Sequence, residues 1–396
     1  MSRPWDLRGW VALVLALAAC RSVPPAVPDA SLKALAASPE AYLKGHIVGF
    51  EPRFVLDRRD FVYTLALRPD GQAAAFTHLP GVSEFSLSAH ALSTQEVEPP
   101  RTWTTAVNGY EKDVEGLAFS PDGRRLATVG REGSVRMFAA DSGKLLWRSL
   151  GTEALVSVAF HPSLPVLVAG SAKGALVVLD VKDGTRLLSE ALHSDEVRGL
   201  DIADNGKVAT GSWDKSLRSL RLERDPWRWV VERSTEFPAF ISDVCFDRTG
   251  KTLAVALSSV RPERSYAVYK REKRGEDAPL AEDDAAALMD AETHQSLRRF
   301  SGHRGVVASV ALSPDGQTLV SGGWDATVRT YNVQTGEAGP VSRWGWIVRR
   351  VRFSRDGRWL GVAAWTQPRL DGRGEPSAAV LSARYAGDVS VAESKP

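Results

Sequence analysis

The chain has 396 residues, 43% hydrophobic and 25% charged, the proportions of a folded body rather than a disordered or collagen-like one. Its 50 Lys and Arg stand against 48 Asp and Glu, a formal charge of +2, which gives no electrostatic case for a nucleic-acid partner. Two cysteines, Cys20 and Cys245, make neither a disulfide framework nor a zinc site.

Arg3 and Arg8 precede an apolar run from Trp10 to Ala19. Ten residues are too few for a spanning helix, which needs about 20, but they fit the apolar core of a secretory signal. The run ends in Leu17-Ala18-Ala19-Cys20, which resembles the lipobox of bacterial lipoproteins. That resemblance implies a signal peptide over 1–19, acylation of Cys20, and a membrane anchor. Arg21 stands where the family's inner-membrane retention signal has Asp, which points to the periplasmic side of the outer membrane. The competing readings are an ordinary signal peptide with an incidental cysteine and a cytosolic protein with an apolar N-terminus. Residues 20–45 read as a tether, proline-rich at first, then with short helical turns around Ser38-Pro39-Glu40.

From residue 46 to 396 one strand-turn-strand phrase recurs seven times. Its clearest copies are Gly116-Leu-Ala-Phe-Ser-Pro-Asp-Gly123 and Ser309-Val-Ala-Leu-Ser-Pro-Asp-Gly316. The turns end at 71, 123, 164, 206, 250, 316 and 357, spaced 52, 41, 42, 44, 66 and 41 residues apart. Four spacings lie close to the period of a four-stranded propeller blade. The long fifth repeat carries an insertion over 260–284, and a smaller one, Thr366 to Pro376, interrupts the seventh. A blade cannot bury both faces alone, so the expected fold is all-β: seven blades, each of four antiparallel strands, packed radially.

The phrases Leu319-Val-Ser-Gly-Gly-Trp-Asp-Ala-Thr-Val-Arg-Thr-Tyr-Asn332 and Val208-Ala-Thr-Gly-Ser-Trp-Asp-Lys-Ser-Leu-Arg-Ser-Leu220 resemble the WD40 family. Other copies are degenerate, with Glu132 and Lys173 where the family has Asp, and Phe138 in the Trp place. The family closes its ring by pairing strands from the two ends of the chain; His46 to Glu51 and Asp388 to Ala392 are the competing candidates.

His303, Ser321 and Asp325 in the sixth repeat have the residue types of a nucleophilic triad, but His193, Thr210 and Asp214 repeat them in the fourth. An active site is needed once, so recurrence argues for a structural hydrogen-bond network, as the family resemblance also implies. No metal or haem motif, and no phosphate loop, is present, so neither an enzyme nor a cofactor is expected. Asp283 and Asp284 read as a solvated loop, and Cys245 as a buried inert thiol on an inner strand.

The position before the turn Asp reads Leu79, Arg131, Ala172, Trp213, Ser258, Trp324 and Trp365 along the blades. By resemblance it lies on a loop-bearing face. Exposed Trp there is the residue type of binding hot spots, which makes Trp213, Trp324, Trp365 and Arg131 candidate partner-binding residues. The alternative is that each Trp folds over its own loop. Both insertions emerge on this face, the first with the mixed run Lys270-Arg271-Glu272-Lys273-Arg274. Trp344 and Trp346 either extend the patch or pack between blades, while Trp227 and Trp229 read as packing residues.

The resulting expectation is a lipid-anchored, non-catalytic propeller that docks a protein or peptide, with a monomer favoured. The alternatives are a small-ligand or hydrolytic propeller of lactonase or sugar-active type and a cytosolic scaffold. The hydrolytic reading needs carboxylates converging on the central channel, where the inner strands offer Asp201 and Asp243 as the acidic exceptions.

Overall fold

The computed structural model describes residues 50–56, 64–78, 81–86, 101–106, 114–261, 284–339, 341–343, 347–365 and 378–383. These residues form 28 strands in seven four-stranded antiparallel sheets. A first strand, β1 (Phe50–Leu56), belongs to the last sheet. Blade one holds β2 (Leu65–Leu67), β3 (Ala73–His78), β4 (Gly81–Ser86) and β5 (Arg101–Ala106). Blade two holds β6 (Val114–Phe119), β7 (Arg125–Gly130), β8 (Ser134–Ala139) and β9 (Leu145–Leu150). Blade three holds β10 (Leu155–Phe160), β11 (Val166–Ser171), β12 (Ala175–Asp180) and β13 (Arg186–Ala191). Blade four holds β14 (Val197–Ile202), β15 (Val208–Ser212), β16 (Ser216–Glu223) and β17 (Arg228–Glu236). Blade five holds β18 (Phe240–Phe246), β19 (Thr252–Ser258), β20 (Ala285–Asp290) and β21 (Ser296–Phe300). Blade six holds β22 (Val307–Leu312), β23 (Thr318–Gly323), β24 (Thr327–Asn332) and β25 (Ser342–Arg343). Blade seven holds β26 (Ile347–Phe353), β27 (Trp359–Trp365), β28 (Ala378–Ala383) and then β1.

The first strands make the ring. β2, β6, β10, β14, β18, β22 and β26 each lie beside the next, and β26 returns to β2. The N-terminal strand completes blade seven, with Phe50 opposite Ala383 and Leu56 opposite Ala378. This closing strand lies further along the chain than His46 to Glu51. The apolar run Phe54-Val55-Leu56 carries it past Pro52, which sits at a register irregularity on the outermost strand, where proline is tolerated. Asp388 to Ala392 lies outside the described residues. Across the same seam the Trp359 indole donates to the Gly71 carbonyl at 2.8 Å and Arg358 donates to the Asp70 carbonyl at 3.1 Å.

Burial explains why the strand sequences are apolar runs rather than alternations. Every residue of β11 is buried, because both faces of a blade meet a neighbour. On the outermost strand β9, Leu150 is 63% exposed. Small residues let the blades approach: a Cβ on Gly322 would stand 2.5 Å from Val348 of the next blade. The turns between first and second strands are held by Asp in five blades and by Asn205 in blade four, which accepts the Lys207 N–H at 3.0 Å. In blade two Asp122 accepts the Ser120 hydroxyl at 2.5 Å and the Arg124 N–H at 3.0 Å, and Gly123 takes φ +68°. Blade three has no Asp at that point; His161 Nδ1 accepts the Leu164 N–H at 3.0 Å instead.

The insertion interrupts the β19–β20 connection, and its residues 262–283 lie outside the described residues. Its end is not solvated as expected: Asp284 is 3% exposed and accepts the Ser259 N–H at 2.7 Å and hydroxyl at 3.0 Å. The carboxylate closes the base of the long connection, and burying it is tolerable because it is hydrogen-bonded. Trp229 is buried and Trp227 packs beside it against the blade-three and blade-four core.

Candidate functional site

The two His networks occupy equivalent places in blades four and six. His303 Nε2 lies 2.7 Å from Ser321 Oγ, and Nδ1 lies 3.0 Å from Asp325. His193 Nε2 lies 2.8 Å from Thr210 Oγ1, and Nδ1 lies 3.1 Å from Asp214. Each network has a further hydroxyl: Ser216 at 2.8 Å from His193, and Thr327 at 3.2 Å from His303. Burial would raise the Asp325 carboxyl, but His303 and the surrounding donors hold it at about 2. Asp214 is likewise held below the usual carboxylate range. These groups satisfy one another and tie the inter-blade loop to the tight turn.

That loop-and-turn end of the ring holds the smaller of two cavities at the ends of the channel. In six blades the first strand has a register shift two residues in, which leaves one residue unpaired: Glu115, Val156, Arg198, Ser242, Ala308 and Arg349. A bulge re-aims its side chain. All six, with Thr64 from blade one, line a cavity of about 50 Å³ together with Trp213, Trp324 and Arg350.

Glu115 is its electrostatic centre. Its side chain is 7% exposed and contacts Arg131 at 2.7 Å, Arg198 at 2.7 Å and Arg349 at 3.8 Å. Burial would raise its carboxyl, yet the guanidiniums, Arg198 foremost, lower it to about 2. Glu196 joins the cluster, accepting Arg131 at 2.9 Å and Arg198 at 3.0 Å. Blades two, four and seven are thus linked across the channel mouth. Glu115 adds a third acidic residue to the two expected on the inner strands.

The candidate tryptophans separate. Trp324 is half-buried and lines the cavity. Trp213 lines it too but is only 3% exposed, so the expected exposed ring is not found at 213. Arg198 lies 5.3 Å and Arg261 5.2 Å from its ring centroid, and these guanidiniums cover the indole. Arg261 also pairs with Asp195 at 3.0 Å, which ties the root of the insertion to the blade-four turn. Arg131 is 30% exposed on this face. Trp365 ends β27, but its side chain, with Leu79, Trp344, Trp346, 366–377 and Cys20, lies outside the described residues.

The cluster around Glu115 was hidden by strand alternation. In Val114-Glu115-Gly116 and Val197-Arg198-Gly199 the charged residue reads as an ordinary solvent-side position. Its recurrence at one repeat position was the available signal.

The opposite mouth is wider, about 240 Å³, and is rimmed by Pro69, Pro121 and Pro162. Asp243 is fully buried below it; Arg352 donates to its two oxygens at 2.8 and 2.9 Å, and Ser309 at 2.6 Å. Burial would raise Asp243, but Arg352 and Arg350 lower it. Asp201 is raised by burial although Phe246 and Ile202 donate backbone N–H groups to it. Burial pushes the Cys245 thiol up to about 12, and Cys245 itself is half-buried on β18. Among the described residues no group of three or more His, Cys, Asp or Glu is placed to hold a metal ion.

The WD domain, G-beta repeat model matches residues 184–219 and 294–332, the stretches that carry the two His networks. A second model, the anaphase-promoting complex subunit 4 WD40 domain, matches residues 81–153. The fold is that of a WD40-like propeller. The chain is 36% identical over 109 residues to the eukaryotic translation initiation factor 3 subunit I of Emericella nidulans, covering 28% of this chain and 31% of that one. It is 30% identical over 129 residues to a guanine nucleotide-binding protein subunit beta of Zea mays, covering 28% and 33%. Autophagy-related protein 16 of Arabidopsis thaliana is 23% identical over 241 residues, 60% of this chain and 42% of that one. The stretches matched span less than half the length of each of these relatives.

Proposed function

We propose that this propeller is a non-catalytic scaffold that docks a protein or peptide on its loop-and-turn face, at the narrow mouth. The observation that carries this reading is the convergence of one bulge residue from each of six blades, with Thr64, Trp213 and Trp324, on a single recess. Aromatic and guanidinium side chains at a recess are the residue types of binding hot spots. Two of the relatives are named as subunits, which agrees with a role in association. The N-terminal sequence supports a lipid anchor on Cys20 and a periplasmic address. Such a tether raises the effective concentration of the scaffold for membrane partners. Affinity capture from native membranes, with wild type and Trp324→Ala matched for thermal stability, tests the docking. A protein captured by wild type and lost in the variant supports it; identical captures refute it. Loss of palmitate labelling in Cys20→Ser tests the anchor.

The opposed shifts of Asp201, which lines the wider mouth, and of the buried Asp243 favour a second reading, a small-ligand or hydrolytic propeller. Asp201→Asn abolishing a hydrolytic activity of the purified protein would establish it.

A further inference from the structure

Three side-chain atoms among the residues lining the narrow mouth have no hydrogen-bond partner among the described residues: Thr64 Oγ1, Ser242 Oγ and Trp213 Nε1. Their residues are 2%, 8% and 3% exposed. Buried polar atoms are almost always paired, so three around one recess mark a place where ordered water or a ligand group completes them. The surrounding charge selects its sign. Arg198, Arg349 and Arg350 line the recess with Glu115, while Glu196 and Asp243 behind it pair with Arg198 and Arg350 and leave Arg349 with Glu115 at 3.8 Å. Burial and the neighbouring Arg352 lower Arg350 to about 10, and Asp243 pairs with it at 3.3 Å. The indole can only donate and the two hydroxyls can donate. A volume of about 50 Å³ holds a head of a few heavy atoms. A cationic side chain would meet like charge, and an apolar one would leave the donors bare. Glu115 already shows which group these guanidiniums accept.

We propose that the narrow mouth is a carboxylate subsite, entered by one Asp or Glu side chain of the docked polypeptide. This rests on the docking reading above. The entering carboxylate accepts the Trp213 N–H and the Ser242 hydroxyl and faces Arg349, in charge-assisted bonds that fix the register of the partner.

The test is the ¹⁵N-indole spectrum of the full-length protein in detergent, with the Trp213 signal assigned through Trp213→Phe. The probes are N-acetylglutamate α-amide, N-acetylglutamine α-amide, acetate and inorganic phosphate at constant ionic strength. The Trp213 signal should shift saturably with the glutamate compound and acetate, and far less with the glutamine compound. Arg349→Gln should weaken the response about tenfold. Ser242→Ala should weaken it while leaving thermal stability equal or higher, since that variant removes an unpaired hydroxyl; unchanged binding in both variants overturns the subsite. Equal responses to the glutamate and glutamine compounds, or none to either, also overturn it. Stronger binding of phosphate overturns the carboxylate assignment, and binding of acetate without the glutamate compound overturns the polypeptide source. Capture that depends on Trp324 with no carboxylate response sinks the subsite alone; capture independent of Trp324 sinks the docking reading with it.

Discussion

Replacing Glu115 by Gln keeps the shape of the side chain and removes the charge that three guanidiniums share. In the native protein its carboxyl is held at about 2, against an ordinary 4.5. Each pKa unit is worth about 1.4 kcal/mol, so the ionised form contributes on the order of 3 kcal/mol at neutral pH. That agrees with the roughly 3–5 kcal/mol lost when one partner of a buried ion pair is removed. The folded pKa is depressed, so the contribution is present above the unfolded value of 4.5 and is lost as pH falls through about 2. By about pH 3 less than half of it should remain. Urea unfolding of wild type and Glu115→Gln at neutral pH and at about pH 3 measures both quantities. A neutral-pH difference under about 1 kcal/mol, or one that does not shrink in acid, would refute the electrostatic account of the mouth.

Ser321→Ala leaves His303 Nε2 without its 2.7 Å partner and should cost about 1–3 kcal/mol in chemical unfolding; a neutral variant would mean the network is ornamental. Gly174 has φ +88°, and a Cβ there would collide with the His193 carbonyl, so Gly174→Ala should lower the melting temperature far more than a surface change does. His294 is held at about 4, chiefly by burial and by Arg233 and Lys207. Its folded pKa is depressed, so its contribution is present above the unfolded value of 6.5 and is lost as pH falls through about 4. Its imidazole signal should stay unprotonated at pH 5.5, and titration near 6.5 would contradict its burial. Cys245 should resist iodoacetamide at pH 8 in the native protein and react once unfolded; rapid native labelling at that residue would contradict its raised pKa.

The repeat made the blades legible. Seven related turns placed the first and second strands, because the Ser-Pro-Asp-Gly copies in blades two and six encode their own turn through the Asp carboxylate and a glycine at positive φ, and the other copies keep enough of the pattern to be aligned with them. The His networks were legible for the same reason, since residue types repeated at one spacing. What was hidden depends on contacts between blades. Trp213 read as an exposed ring because its covering groups are distant in sequence: Arg198 on the first strand of its own blade, and Arg261 from the next blade, 48 residues on. Glu115 was passed over because a bulge, not the strand period, turns it into the channel. Its guanidinium partners lie in blades two, four and seven, and only ring closure brings them together. Asp284 was misjudged by the charged company it keeps in sequence, whereas its hydrogen bonds are to Ser259 across the base of the insertion.

The most direct measurement of the docking claim places a photo-crosslinking amino acid at one mouth or the other. Position 324 lies on the narrow, loop-and-turn mouth, and position 122 on an exposed turn at the opposite end. Irradiation of cells expressing each variant should give a discrete protein adduct from position 324 and none from position 122. An adduct from position 122 alone would move the partner to the wide, proline-rimmed mouth and contradict the account.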